Sequence, residues 1–232
     1  MPRETLDKRI KQLLEEILLL DSMVENAMRD AVEALKYQDL RLARAVYAND
    51  KLINEKRYLL ETNCMSTIAT QQPLAGHDLR LLASILEVAA ELERMGDYAK
   101  GIAKICLMVD KKPLIKPLID IPRMMDHALN MLHRAVWAFV EGDAELAKEI
   151  PSEDDKVDQL YNQVYHDLVA VMFADPSTID QANHLMWAAH NLERLADRVT
   201  NICERTIYAV TGQMTEIDSS DDETRAAAHD QN

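Results

Sequence analysis

One six-residue stretch occurs twice in this chain at a spacing of 100 residues, and that repeat limits the fold more than any other feature. Leu92-Glu93-Arg94-Met95-Gly96-Asp97 returns as Leu192-Glu193-Arg194-Leu195-Ala196-Asp197. Ile102 and Ile202 keep the same spacing. A second block repeats at an offset of 104. Asp39-Leu-Arg-Leu-Ala43 matches Asp143-Ala-Glu-Leu-Ala147, and Asp50-Lys-Leu-Ile-Asn54 lies against Asp154-Asp-Lys-Val-Asp158. Self-similarity at a fixed period marks one structural unit used more than once. The change of offset belongs to the loop between the two blocks of each half.

The unit must be helical. Glycines number only 5 and aromatic residues make up 5% of the chain, while Leu, Ala, Met, Glu and Arg abound. These are helix formers, and a sheet protein of this size needs more β-branched and aromatic residues. Apolar residues reach 48%, enough for a real core. Pro and Gly punctuate the chain in a few places: Pro73 with Gly76, the run Pro113, Pro117 and Pro122, then Gly142, Pro176 and Gly212. A softer break falls at Tyr37-Gln38-Asp39. Asp39 and, after Gly142, Asp143 can cap the helices that follow them.

Six helices result, over about 4–37, 40–71, 77–110, 121–141, 143–173 and 178–213, with ends uncertain by about two to four residues. Pro151 falls inside the fifth and predicts a kink or the helix's true start. The expected fold is all-α, two tandem three-helix bundles related by the internal repeat. The division is residues 1–112 for the first unit, 113–122 for a connector, 123–213 for the second unit and 214–232 for a disordered acidic tail.

The repeated acids fall on the apolar side of their helices. A helix turns 100° per residue. With Leu82 at 0°, the residues Ile85, Leu86, Ala89, Leu92 and Gly96 share one arc; Glu93 lands at about 20°, inside it, and Asp97 at about 60°, on its edge. Leu185, Met186, Ala189, Leu192 and Ala196 form the same stripe around Glu193. On the second helix Asp50 and Asn54 border Val46, Ile53, Leu60 and Cys64. Asp154 and Asp158 border Ile150, Val157, Val164 and Leu168 in the other half. Like charges one turn apart destabilise a helix by a few tenths of a kcal/mol even in water, and much more near a core. A bound cation would relieve that repulsion, and oxygen donors suit hard or borderline ions. A salt-bridged acidic groove is the alternative.

Other classes are disfavoured. The net charge of −14 repels a phosphate backbone, so nucleic acid is not an expected partner. Cys64, Cys106 and Cys203 lack metal-ligand spacing and read as reduced core residues of a cytoplasmic protein. No stretch reaches the roughly 18 apolar residues of a membrane span, and the first residues do not resemble a signal peptide. The histidines do not recur between the halves. Gly96 and Ala196 stand where a ferritin-like site has His three residues after Glu. No phosphate loop or nucleophile motif is present, so no catalytic residue is assigned.

Leu92-Glu-Arg-Met-Gly-Asp97 and Leu192-Glu-Arg-Leu-Ala-Asp197 resemble the doubled signature of the PhoU family of phosphate-transport accessory proteins. Pro73-Leu-Ala-Gly-His-Asp78-Leu-Arg80 resembles the segment that opens the third helix of such proteins, and Asn201-Ile-Cys-Glu204 the end of the second signature. The resemblance implies two three-helix bundles, a homodimer, and metal ions (Mg, Mn, Fe or Zn) held by acid pairs from second and third helices. The matching positions are Asp50, Asn54, Glu93 and Asp97, then Asp154, Asp158, Glu193 and Asp197. Asn54 departs from the acidic pattern and weakens the first set. The resemblance also implies a non-enzymatic negative regulator of phosphate uptake and phosphate-starvation signalling. Its partners would be the ATPase of the phosphate ABC transporter and a sensor histidine kinase, with the membrane reached only through them. A metal-dependent phosphohydrolase and a purely structural helical dimer are the competing readings.

Overall fold

The computed structural model describes residues 2–110 and 112–217. Among the described residues seven α-helices follow one another: α1 (Pro2–Tyr37), α2 (Leu40–Thr70), α3 (Gly76–Val109), α4 (Asp120–Glu141), α5 (Ala144–Glu149), α6 (Asp154–Ala174) and α7 (Ile179–Thr211). Helices α1 to α3 form the first unit and α4 to α7 the second. The tail expected from residue 214 onward lies, from 218, outside the described residues. Ile217, before that point, packs on the core, and its N–H donates to Glu204 at 2.8 Å.

The expected fifth helix is divided. Pro151 lacks an N–H and cannot continue an α-helix, so residues Ile150–Glu153 form a 3-10 turn between α5 and α6. Helix α2 has no such break at the matching point. Both predicted caps are present. The Asp39 carboxylate accepts from the N–H groups of Arg41 and Leu42, and Asp143 accepts from Glu145 and Leu146. The residue before each cap turns left-handed: Gly142 at φ +71° and Gln38 at φ +54°. Glycine takes that conformation freely and glutamine does not. Gln38 offsets part of the cost by donating from Nε2 to the carbonyls of Asp110 and Lys112.

Helix α3 packs against α1, α2 and α7. Its buried face is therefore wider than one stripe and takes in Val88, Met95 and Tyr98, while Leu86 is only half-buried. The α3–α7 seam joins the two units and runs antiparallel. His77 meets Ala209, Glu91 meets Arg198, and Gly101 lies against Asn191. Two equivalent helices related by a local twofold axis must meet this way. Positions 98 and 198, equivalent in the repeat, touch each other across that seam. Arg198 Nε donates to the Tyr98 hydroxyl at 2.5 Å and Nη1 to Glu91 at 2.8 Å. The buried apolar residues form one continuous cluster through both units.

Gly96 records how the halves diverged. A Cβ at Gly96 would lie 3.1 Å from Cδ1 and Cγ2 of Ile53. The second half carries Ala196 and, at the position of Ile53, the smaller Val157. Ile53→Val alone should cost about 1 kcal/mol. Gly96→Ala gains about 1 kcal/mol of helix propensity and loses about 1–3 to overpacking. The double variant should be more stable than the sum of the two by about 1 kcal/mol. Urea unfolding of the four proteins checks this, and strict additivity would refute the pairing.

Candidate functional site: two unequal acidic grooves

In the first unit the four expected positions come together between α2 and α3. Asp50 is 6% exposed. Asn54 Nδ2 donates to Asp50 Oδ2 at 3.2 Å, so the pair one turn apart on α2 is self-bonded. Glu93 is half-buried on α3. Burial raises its pKa first and the neighbouring Asp97 second, with Asp50 adding to both; Arg57 opposes them. The Asp97 side chain is 52% exposed. The acids therefore line the margin of the buried face, with Asp50 the deepest.

A cation from the chain itself occupies this groove. Lys100 Nζ donates to Asp50 Oδ2 at 2.7 Å and lies 3.9 Å from Asp97 Oδ1. The bond to Asp50 raises the pKa of Lys100, and Asp50 and Asp97 raise it further. Lys100 follows Asp97 by three residues, so it returns to the same helix face. The signal was legible, since its counterpart at the repeat offset is Thr200, but helical angles alone do not show how far a lysine stem reaches.

The second unit keeps the deep acid and changes its neighbours. Helices α6 and α7 pack together as α2 and α3 do. Asp154 is 5% exposed, matching Asp50, and Asp158, Glu193 and Asp197 are half-buried. Asp158 replaces Asn54, Thr200 replaces Lys100, and Tyr161 replaces Arg57. Tyr161 faces Glu193, and its own hydroxyl pKa is raised by burial and then by that carboxylate. His190 Nδ1 lies 2.9 Å from Glu193 Oε2. Burial, then Arg194, lowers the pKa of His190, which favours the neutral imidazole beside that carboxylate. Three acids face Lys100 and Arg57 in the first groove, and the second half has no lysine or arginine at those two positions. Four carboxylates brought together would suit Mg²⁺ or Mn²⁺.

The segment that opens α3 is structural. Asp78, buried, binds Arg3 of α1 at 2.5 Å. Arg80 reaches the end of α7, where a Cβ on left-handed Gly212 would lie 3.2 Å from its Cζ. A guanidinium there opposes the negative end of the helix dipole. The three cysteines are buried free thiols. Burial pushes Cys64 up to about 12, Cys106 to about 11 and Cys203 to about 12, which suits core residues rather than nucleophiles.

A family model described as PhoU domain matches residues 17–106 and again 121–206. The chain belongs to the PhoU family. It is 31% identical to the phosphate-specific transport system accessory protein PhoU homolog of Clostridium acetobutylicum, over 94% of this chain and 99% of that one. It is 34% identical to the PhoU of the same description from Escherichia coli strain K12, over 88% and 84%. The crystal structure of the phosphate transport system regulatory protein PhoU from Streptococcus pneumoniae superposes with a TM-score of 0.84 at 29% identity, covering 91% of this chain and all of that one. PhoU from Pseudomonas aeruginosa gives 0.83 at 31% identity, over 89% and 99%. The doubled match agrees with the two units of the fold. These relatives carry the names of accessory and regulatory proteins, not of enzymes. No helix among the described residues is long and apolar enough to cross a membrane.

Proposed function

We propose that this chain is a non-catalytic negative regulator of phosphate uptake and of phosphate-starvation signalling, an adaptor between the transporter ATPase and its sensor kinase. The observation that carries the reading is the family match over both units, with relatives named as accessory to phosphate-specific transport along nearly the whole chain. Unpartnered apolar side chains on outer helix faces support docking. Leu52 and Leu59, two turns apart on α2, are both exposed. Deletion of the gene should leave phosphate-responsive genes active in plentiful phosphate. Silent genes in the deletion strain would sink the assignment.

The metal part of the reading divides unequally between the halves. Asp154, Asp158, Glu193 and Asp197 would hold a divalent cation, which neutralises the groove and ties α6 to α7. In the first half Lys100 already supplies that charge. Elemental analysis of purified protein should lose a divalent equivalent in Glu193→Gln/Asp197→Asn and be unchanged in Glu93→Gln/Asp97→Asn. Equal loss in both variants would count against the division.

A further inference from the structure

Away from both grooves, a third group of ligand-type side chains sits where the first unit meets the second. Asp21 and Glu25 are one turn apart on α1, and His133 comes from α4, which packs on α1. One ligand atom from each of the three lies within 4.8 Å of the others. His133 Nδ1 is 3.2 Å from Glu25 Oε1. Asp21 is 5% exposed, and its Oδ1 is buried with no hydrogen-bond partner. Buried carboxylate oxygens are nearly always bonded, so this one marks a place built for a ligand. The apolar neighbours Leu20 and Val24 on α1 are wholly buried and offer it nothing. Arg29 reaches Glu25 at 3.6 Å and Asp126 at 4.0 Å. Half-exposed, it can leave Glu25 for Asp126 or for water.

We propose that Asp21, Glu25 and His133 form a three-ligand site for a zinc-like divalent cation that clamps the first unit to the second. Two carboxylate oxygens and one imidazole nitrogen suit a borderline ion rather than Mg²⁺ or Ca²⁺. Ligands at about 2.0–2.2 Å from a tetrahedral zinc lie about 3.4 Å apart. The present spacing needs only small side-chain rotations to reach that. The fourth position opens to solvent on the His133 side, where that side chain is 68% exposed. The site differs from the two grooves in its imidazole donor and in its helices. It does not depend on the regulatory role.

The test is zinc titration of the chelator-treated full chain, as wild type, His133→Ala and Asp21→Asn. Zinc should shift the ring-nitrogen resonances of His133 in the wild type and raise its melting temperature. His133→Ala should bind one zinc equivalent fewer, and Asp21→Asn should bind at that site at least tenfold more weakly. His133 is a surface side chain, so its replacement leaves the fold intact, and the grooves bind alike in all three proteins. The same zinc stoichiometry and affinity in all three would overturn the site. A loss confined to Asp21→Asn would overturn the three-ligand arrangement, as would a His133 ring that ignores zinc.

Discussion

Asp21→Asn should make the metal-free protein more stable at pH 8, by about 2–4 kcal/mol, with the gain fading as pH falls to 4. Burial, and then the charge on Glu25, pushes the Asp21 carboxyl up to about 7 from an ordinary 3.8. Below both values the carboxyl is protonated in folded and unfolded chains alike and costs nothing. As pH rises through 4 the unfolded chain releases its proton while the folded chain keeps it. Folding then takes up a proton, so wild-type stability falls steadily until pH passes about 7 and is flat beyond. Asparagine has no such proton, and its stability should lack that slope. Arg29 and His133 face Glu25 from the same junction. Urea unfolding from pH 4 to 8 with chelator present reads the effect. Parallel curves for the two proteins would show that Asp21 is solvated or bonded as native carboxylates usually are.

The fold was legible because the repeat speaks twice. A single Asp39 before a helix is a weak cap signal; the same signal at Asp143 makes it a rule of the unit, and both carboxylates cap as read. The meeting of Asp50, Asn54, Glu93 and Asp97 was legible for the same reason. What escaped the sequence lay where the halves differ or where helices from different units meet. The width of the buried face of α3 depends on α7, one hundred residues away, and a wheel drawn on one helix cannot show a neighbour on its other side. The break at Ile150–Glu153, by contrast, was legible, since Pro151 marked a kink or the true start of the helix. Asp21-x-x-x-Glu25 has the spacing of the other acid pairs and sits among Leu20, Val24 and Met28, but it does not recur, and only packing of α1 on α4 brings His133 beside it. His190 was missed likewise, since the first half has Ala90 in its place.

Lys100→Met should destabilise the metal-free protein by about 1–2 kcal/mol and should create a divalent-cation site in the first groove. The side chain is one-third exposed, so water screens the pair, and the cost sits at the low end for a broken ion pair. Most of it comes from Asp50, which stays 6% exposed and keeps the bond from the Asn54 amide but loses the ammonium. Methionine keeps the stem and helix propensity, so the charge is what changes. With the ammonium gone, Asp50, Glu93 and Asp97 resemble their counterparts in the second half, and Mg²⁺ or Mn²⁺ can take the place of the lysine. Adding millimolar Mn²⁺ should restore the lost stability through binding to the folded state alone, and the variant should bind one equivalent more than wild type. Asn54→Asp added to Lys100→Met should tighten that binding further by supplying the fourth carboxylate, as Asp158 does in the other half. If Lys100→Met binds no additional metal, the lysine is an ordinary surface ion pair and the two grooves differ for another reason. If it binds the extra ion, one half of the duplicated unit has exchanged a metal for a tethered ammonium. The protein would then hold one half closed permanently while the other answers to cation supply.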